Sequence, residues 1–438
     1  MDTILSFFQT LGPFLFVLGV LIFVHELGHF LVARWYGVRV HTFSLGFGPK
    51  LIKFTRGDTE YCVSLIPLGG YVKLAGETTE EERTGDPAEF LSKSRWVRFQ
   101  VYLAGPVMNI ALALLLTTVV LTQGADEPIY RTSPAVVGIL QEDGAGARAG
   151  LQLGDRIIRV NDRAIDSWDA LDMAVLPKAN RELTLAVERD GSYLDIVVTP
   201  EAEGRYDMGS LGVGPVLRPQ VVTLTPGWPA EQAGLQVDDV VVAFNGETGL
   251  RRAGLIAKLQ QHPDVPITLT VERAGERKDI TVTPRRNGDI GQIGAQMTDG
   301  ETRRIDPGLV QAVQMSAEQN WENSKMIGTT LAGLFTRETP VNQLMGPVAI
   351  ADMSGQTAQL GWVALFSLMA MLSLNLGILN LAPIPVLDGG HIVILALEGL
   401  ARRDFSVRIK NGVLLAGMAV ILTLMVTVIF NDVSRLFR

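Results

Sequence analysis

The chain of 438 residues is long for a single domain, and with 47% apolar residues and a mean hydropathy above zero it reads as a membrane protein carrying a soluble portion. A net charge of −8 argues against a nucleic-acid partner, and the single cysteine, Cys62, excludes any intrachain disulfide. The soluble parts must therefore fold on their own cores, with Cys62 as a buried filler.

From Thr3 to Val24 no residue is charged, a run long enough to cross ~30 Å of hydrocarbon. The N-terminus lacks the positive n-region of a signal peptide and the run ends without a small-residue cleavage site, so residues 1–36 are expected to be a retained transmembrane helix. The run closes on His25-Glu26-Leu27-Gly28-His29. On a helix, His25 and His29 are four apart and share one face, the spacing with which two imidazoles grip one Zn²⁺. Glu26 follows the first of them, where it can take a proton from a water activated by that ion. At membrane depth an ionisable group needs a partner and is functional by default.

Further uncharged runs lie at 99–125, 353–387 and 411–431. They predict a second span over 98–125, a third over 354–390 and a fourth over 407–431. The third run holds Asn375, Asn380, Pro383 and Pro385, which predicts a helix ending near Leu381 followed by irregular chain sheltered by protein or water. Lys and Arg are absent before Arg34, yet ten occur from Arg34 to Arg98, and Arg402, Arg403, Arg408 and Lys410 sit between the last two spans. The positive-inside rule places both of those loops in the cytoplasm. Both termini, and everything between the second and third spans, then lie on the far side.

Residues 37–97 form the first of these loops. Val38–Leu45 and Glu60–Leu74 are rich in β-branched and aromatic residues and are broken by Gly46-Phe47-Gly48 and Pro67-Leu68-Gly69-Gly70, which predicts hairpins with glycine turns. Such a sheet edge, with Gly69, Gly70 and Tyr71, could hold an extended substrate strand, or could only pack beneath the helices. Thr78–Glu89 is acidic and reads as a solvated loop.

Between the second and third spans the chain repeats itself at an offset of 84 residues. Ala149-Gly150-Leu151-Gln152 recurs as Ala233-Gly234-Leu235-Gln236, Asp155 as Asp239, Asn161 as Asn245, Val187-Glu188-Arg189 as Val271-Glu272-Arg273, and Val198-Thr199-Pro200 as Val282-Thr283-Pro284. This means two tandem α+β domains of one fold, over 130–214 and 215–298. The Ala-Gly-Leu phrase followed by Asp, an apolar strand and Asn resembles PDZ domains, which capture extended peptides by strand addition. Leu211-Gly212-Val213 and Ile293-Gly294-Ala295 come at the end of each repeat, a circularly permuted order, so a steric role stands beside peptide capture. Asp155 and Asp239 read as turn formers. In the region 305–350, Leu309, Val313, Ala317 and Trp321 recur at helical spacing from Pro307 to Thr336, predicting an amphipathic helix on the outer membrane surface or against the modules.

Two histidines leave a catalytic zinc short of a protein ligand. Asn380-Leu381-Ala382-Pro383-Ile384-Pro385-Val386-Leu387-Asp388-Gly389-Gly390-His391 returns at the cytoplasmic end of the third span, at the depth of His25 and His29. Asp388 is favoured as the missing ligand, with His391 as an alternative by residue type.

The two segments together resemble the site-2 protease family of intramembrane zinc metalloproteases. Ala104-Gly105-Pro106-x-x-Asn109 and Pro67-Leu68-Gly69-Gly70-Tyr71 match it as well. The resemblance implies a polytopic α-helical membrane protein of four transmembrane helices, with a membrane-associated β-hairpin region and two tandem PDZ-like domains. It implies His25, His29 and Asp388 as Zn²⁺ ligands, Glu26 as general base and Asn380 as a residue that positions or polarises the substrate backbone. The implied substrate is a single-pass transmembrane protein, either an anti-sigma factor after a first extracytoplasmic cut or a signal-peptide remnant. The implied location is a bacterial inner membrane, with termini and modules periplasmic and the site toward the cytoplasm. A reading from another class is a catalytically silent scaffold that binds extracytoplasmic peptides through the modules.

Overall fold

A computed structural model of the chain describes residues 2–77, 85–204, 207–336 and 345–436. The acidic stretch at 78–84 lies outside the described residues. Contacts divide the chain into two units, Met1–Gly124 with Asp306–Arg438, and Ala125–Ile305.

The first unit is built on helices whose composition suits hydrocarbon. Among the described residues four are long and apolar enough to cross a membrane, with candidate spans Leu11–Trp35, Arg95–Leu121, Trp362–Asn380 and Val407–Ser434. They belong to α1 (Asp2–Trp35), α2 (Arg95–Leu121), α5 (Trp362–Asn380) and α7 (Val407–Leu436). Between them lie α3 (Leu309–Phe335), α4 (Pro347–Gln359) and α6 (Asp388–Leu400). Val17 and Leu21 of α1, Leu116 of α2, and Met369 and Ala370 of α5 form one buried cluster. Close approach depends on small residues, as apolar side chains gain nothing by leaving lipid for one another. A Cβ on Gly28 would fall 2.4 Å from the Ala104 carbonyl oxygen, and one on Gly377 3.0 Å from that of Pro106. Leu415, Val420, Val426 and Phe430 of α7 are exposed, a surface that a bilayer would cover.

In the third uncharged run the helix ends at Asn380, with Leu381 as its C-cap, and the run is divided at its other end too. α4 stops at Gln359, Gly361 takes φ +105, a conformation that favours glycine, and α5 begins at Trp362. The buried carboxylate of Asp432 accepts from the backbone amides of Gly346 and Ala349, satisfying donors that the start of α4 leaves free.

α3 is helical over the expected stretch, and the structure adds which side it packs. The residues that carried its apolar pattern, Leu309, Val313 and Trp321, are exposed, whereas Ala312, Ser316 and Asn320 are buried. The Ser316 hydroxyl donates to the Leu114 carbonyl of α2, and the Asn320 amide donates to the Thr117 hydroxyl. Small and hydrogen-bonding side chains at every fourth position hold this helix against a span, and its apolar residues face outward.

After α1 the chain forms β1 (Val40–Arg56) and β2 (Thr59–Leu74). The glycine groups lie inside the two long strands, at the places where each strand folds back. Gly46, Gly48 and Gly69 have φ of +89, +84 and +140 within the strands, where the pairing register shifts, and the reversal is at Gly57-Asp58. Thr42 pairs with both Glu60 and Lys73, and Leu45 with both Val63 and Gly70, so the two strands curl back on themselves. The segment Gly70–Leu74 forms one margin of this sheet, which contains only β1 and β2 among the described residues.

The second unit holds two modules of one architecture. Each has a four-segment antiparallel sheet in which the strand Arg156–Val160, or Val240–Phe244, lies next to the hairpin Leu183–Val198, or Ile267–Val282. A helix, Trp168–Val175 or Arg252–Gln260, covers each core. Asp155 and Asp239 do more than form turns. Arg189 grips the fully buried Asp155 with Nε at 2.6 Å and Nη2 at 2.7 Å, and Arg273 grips Asp239 in the same way at 2.6 Å for both. Each carboxylate also accepts from a backbone amide, Gln152 or Gln236, at 2.8 Å.

Candidate metal centre

The helical geometry of α1 sets His25 and His29 on the face toward α2, and the break after α5 brings Asp388 to them. Gly389 and Gly390 make that break possible. A Cβ on Gly389 would lie 2.3 Å from the carbonyl oxygens of Leu381 and Ala382, and one on Gly390 2.3 Å from that of Ile384. The tight return strains Val386, a β-branched residue at φ +92. Asp388 is the first residue of α6, where free amides and the helix dipole favour a carboxylate.

His25 Nε2 stands 3.2 Å from Asp388 Oδ2, His29 Nε2 3.5 Å from the same oxygen, and the two Nε2 atoms 3.2 Å from each other. Donors arranged tetrahedrally about 2.1 Å from one ion stand roughly 3.4 Å apart, so the three are spaced as zinc ligands. Asp388 Oδ2 is buried without a hydrogen bond of good geometry despite its two close imidazole neighbours, and a cation is the partner it lacks. The donor set of two imidazoles and a carboxylate suits Zn²⁺ and leaves a fourth position for water. Among the described residues these three are the group of His, Cys, Asp or Glu that could hold a metal ion.

The shell around them is close. The His29 Nδ1–H donates to the Val101 carbonyl at 2.7 Å, which turns the lone pair of Nε2 toward Asp388. Gly105 is the floor of the site, where a Cβ would fall 2.3 Å from His29 Nε2 and 2.8 Å from His25 Cε1. Glu26 lies beside β2. A Cβ on Gly70 would sit 3.1 Å from Glu26 Cγ, and the Val72 backbone amide is near enough to act on the Glu26 carboxylate.

The remaining sequence candidates are placed as follows. Asn380 ends α5, and its side chain makes no hydrogen bond among the described residues to the three donors. Gly69 and Tyr71 flank Gly70 on β2, with Tyr71 stacked on Phe47 at 6.1 Å. His391 is not one of the gathered donors; its ring stacks on Tyr102 at 4.7 Å and 7°. Sequence reasoning named Asn109 in the Ala104–Asn109 motif but assigned it no role; its amide lies 3.2 Å from His25 Nδ1, and an amide midway along an uncharged span was the available signal.

The chain is similar to known proteins along nearly its whole length. The regulator of sigma-E protease of Escherichia coli K12 is 34% identical over 459 aligned residues, covering 99% of this chain and 100% of that protein. The regulator of sigma E protease of Haemophilus influenzae is 31% identical over 451, covering 99% and 100%. A Neisseria meningitidis serogroup A protein whose name describes a zinc metalloprotease is 33% identical over 454, covering 98% and 99%. The description of Peptidase family M50 matches residues 13–424, a span that includes both halves of the metal centre. The chain belongs to Peptidase family M50, the site-2 protease family.

Proposed function

We propose that this chain is a zinc endopeptidase that cleaves single-pass membrane proteins within or near their spans, with His25, His29 and Asp388 as the ligands. The observation that carries the reading is the convergence of one carboxylate oxygen and two imidazole nitrogens, from distant parts of the chain, at ligand spacing within an apolar helical unit. Bound zinc supplies Lewis acidity, which lowers the pKa of water toward ~7 and polarises the scissile carbonyl. Glu26 accepts the proton of the attacking water and returns it to the leaving amine, and the Val72 amide holds its carboxylate for that exchange. Asn380 orients the substrate backbone beside the scissile carbonyl.

A helical substrate offers no free carbonyl, so it must unwind locally. The margin of β2 at Gly69, Gly70 and Tyr71 receives the unwound segment as an added strand, and its neighbour Val72 already reaches Glu26. The relatives named for sigma-E regulation point to an anti-sigma factor as the substrate class, with signal-peptide remnants as a second. The two modules are PDZ-like in permuted order. In the first, the groove lined by Leu171, Val175, Met208 and Val213 is the candidate place for an extended chain. By the positive-inside rule the modules and both termini are periplasmic in a bacterial inner membrane, where the modules exclude substrates that still carry an outer domain. A silent scaffold gains no support, since it has no need of ionisable groups gathered at this depth.

Replacing Glu26→Gln abolishes cleavage of a model transmembrane peptide while purified protein keeps about one zinc per chain; cleavage that survives this change overturns the reading.

A further inference from the structure

His25 carries a requirement that its own helix does not meet. For His25 Nε2 to serve as a ligand it must present a lone pair, so the ring proton must sit on Nδ1 and be given to an acceptor. At His29 that acceptor is a main-chain carbonyl, of Val101. At His25 the atom facing Nδ1 at 3.2 Å is the side-chain amide of Asn109, on α2.

Asn109 is fully buried. Its backbone carbonyl accepts from the Ser373 hydroxyl of α5 at 2.7 Å, so the residue is anchored from a second helix. Its amide carries both kinds of group. With Nδ2 toward the ring, Nδ1 has to accept, the proton moves to Nε2 and that atom cannot ligate. Oδ1 in that arrangement is buried without a partner. A half-turn of the terminal torsion exchanges the two atoms without changing the shape of the side chain, and Oδ1 then accepts from Nδ1–H.

We propose that Asn109 is the positioning residue of His25, holding its imidazole in the metal-binding tautomer by accepting from Nδ1–H through Oδ1. The inference rests on the zinc reading above. It makes the two histidines a matched pair, each oriented by an oxygen of α2. The requirement on residue 109 is an acceptor, not a donor and not a volume.

The test is the zinc affinity of the purified full-length protein in detergent, measured by competition with a chromophoric chelator. Wild-type protein tests the metal site itself: no stoichiometric zinc there overturns the parent reading and leaves nothing for residue 109 to position. With zinc bound in the wild type, Asn109→Leu keeps the volume and removes the acceptor, and weakens zinc by about 10–100-fold. Asn109→Asp keeps only acceptors and holds zinc within about threefold of the wild type. Ser373→Ala, which releases only the backbone anchor, stays within about threefold as well. An Asn109→Asp protein as weak as Asn109→Leu means that the amide acts as a donor or by packing, and overturns the proposal, as does an Asn109→Leu protein of undiminished affinity. If Asn109→Leu does not accumulate, Asn109→Asp decides by the same thresholds.

Discussion

The proposed metal centre depends on what is absent as much as on what is present. Gly105 has space for no side chain because two imidazoles occupy it. Gly105→Ala is expected to lower zinc affinity by about tenfold or more, as the displacement of either ring moves a ligand atom out of a tetrahedron that tolerates ~0.2 Å. Chelator competition measures this. Gly28→Ala meets backbone instead, at the Ala104 carbonyl, and is expected to cost about 1–3 kcal/mol of stability by overpacking, read from thermal unfolding. In the modules, Arg189→Met leaves the buried carboxylate of Asp155 uncompensated. Loss of one partner of a buried pair costs about 3–5 kcal/mol, and the lower end applies because Arg189 remains 23% exposed. Slowly exchanging amides of the 183–198 hairpin should show it as faster hydrogen exchange.

The same ion pair gives a pH dependence. Burial pushes the Asp155 carboxyl up, but the Arg189 fork and the Gln152 amide outweigh it and hold it below the ordinary value. The folded state therefore binds that proton less readily than the unfolded chain. The contribution is fully present above the unfolded value of about 4 and is lost as pH falls through the lowered folded value. Hydrogen-exchange protection in the 156–198 region, taken relative to the intrinsic exchange rate at each pH, is expected to fall below about pH 4 in the wild type, and the fall should shrink in the Arg189→Met protein.

At the scale of elements, the β1–β2 curl serves the site through one amide. Val72 lies on the marginal segment of the sheet, paired with Phe43, and its backbone amide acts on the Glu26 carboxylate. Proline is tolerated on a strand margin where the N–H faces away from the ladder. Val72→Pro is thus expected to retain zinc and to slow peptide cleavage by about tenfold or more, measured under single-turnover conditions. The glycines that sequence reading assigned to turns are where each long strand folds back on itself, because local pattern marks where a chain can take positive φ and not which partner it meets there. α3 teaches the same lesson from the other side. Its apolar spacing was legible, but in a helical membrane unit burial follows small and hydrogen-bonding residues, and Ala312, Ser316 and Asn320 decided its face.

For the whole molecule, charge-free runs, the 84-residue repeat and the two separated motifs were all readable because each is local or periodic in the chain. The orientation proposed from loop charge has a direct check. A cysteine replacing exposed Ser192 should react with an impermeant maleimide in intact cells, and one replacing Thr55 only after permeabilisation. The reverse pattern would invert the proposed topology. By itself the sequence determined the helical spans, the duplicated modules and the kinds of residue able to bind a metal, since these follow from composition and spacing along one segment. Only the tertiary structure decided that His25, His29 and Asp388 meet at ligand distance, that His391 stacks on Tyr102 instead, and that Asn109 faces His25. Those relations join residues from α1, α2 and α6, and they are set by how closely glycines let the helices approach, which no single stretch of sequence contains.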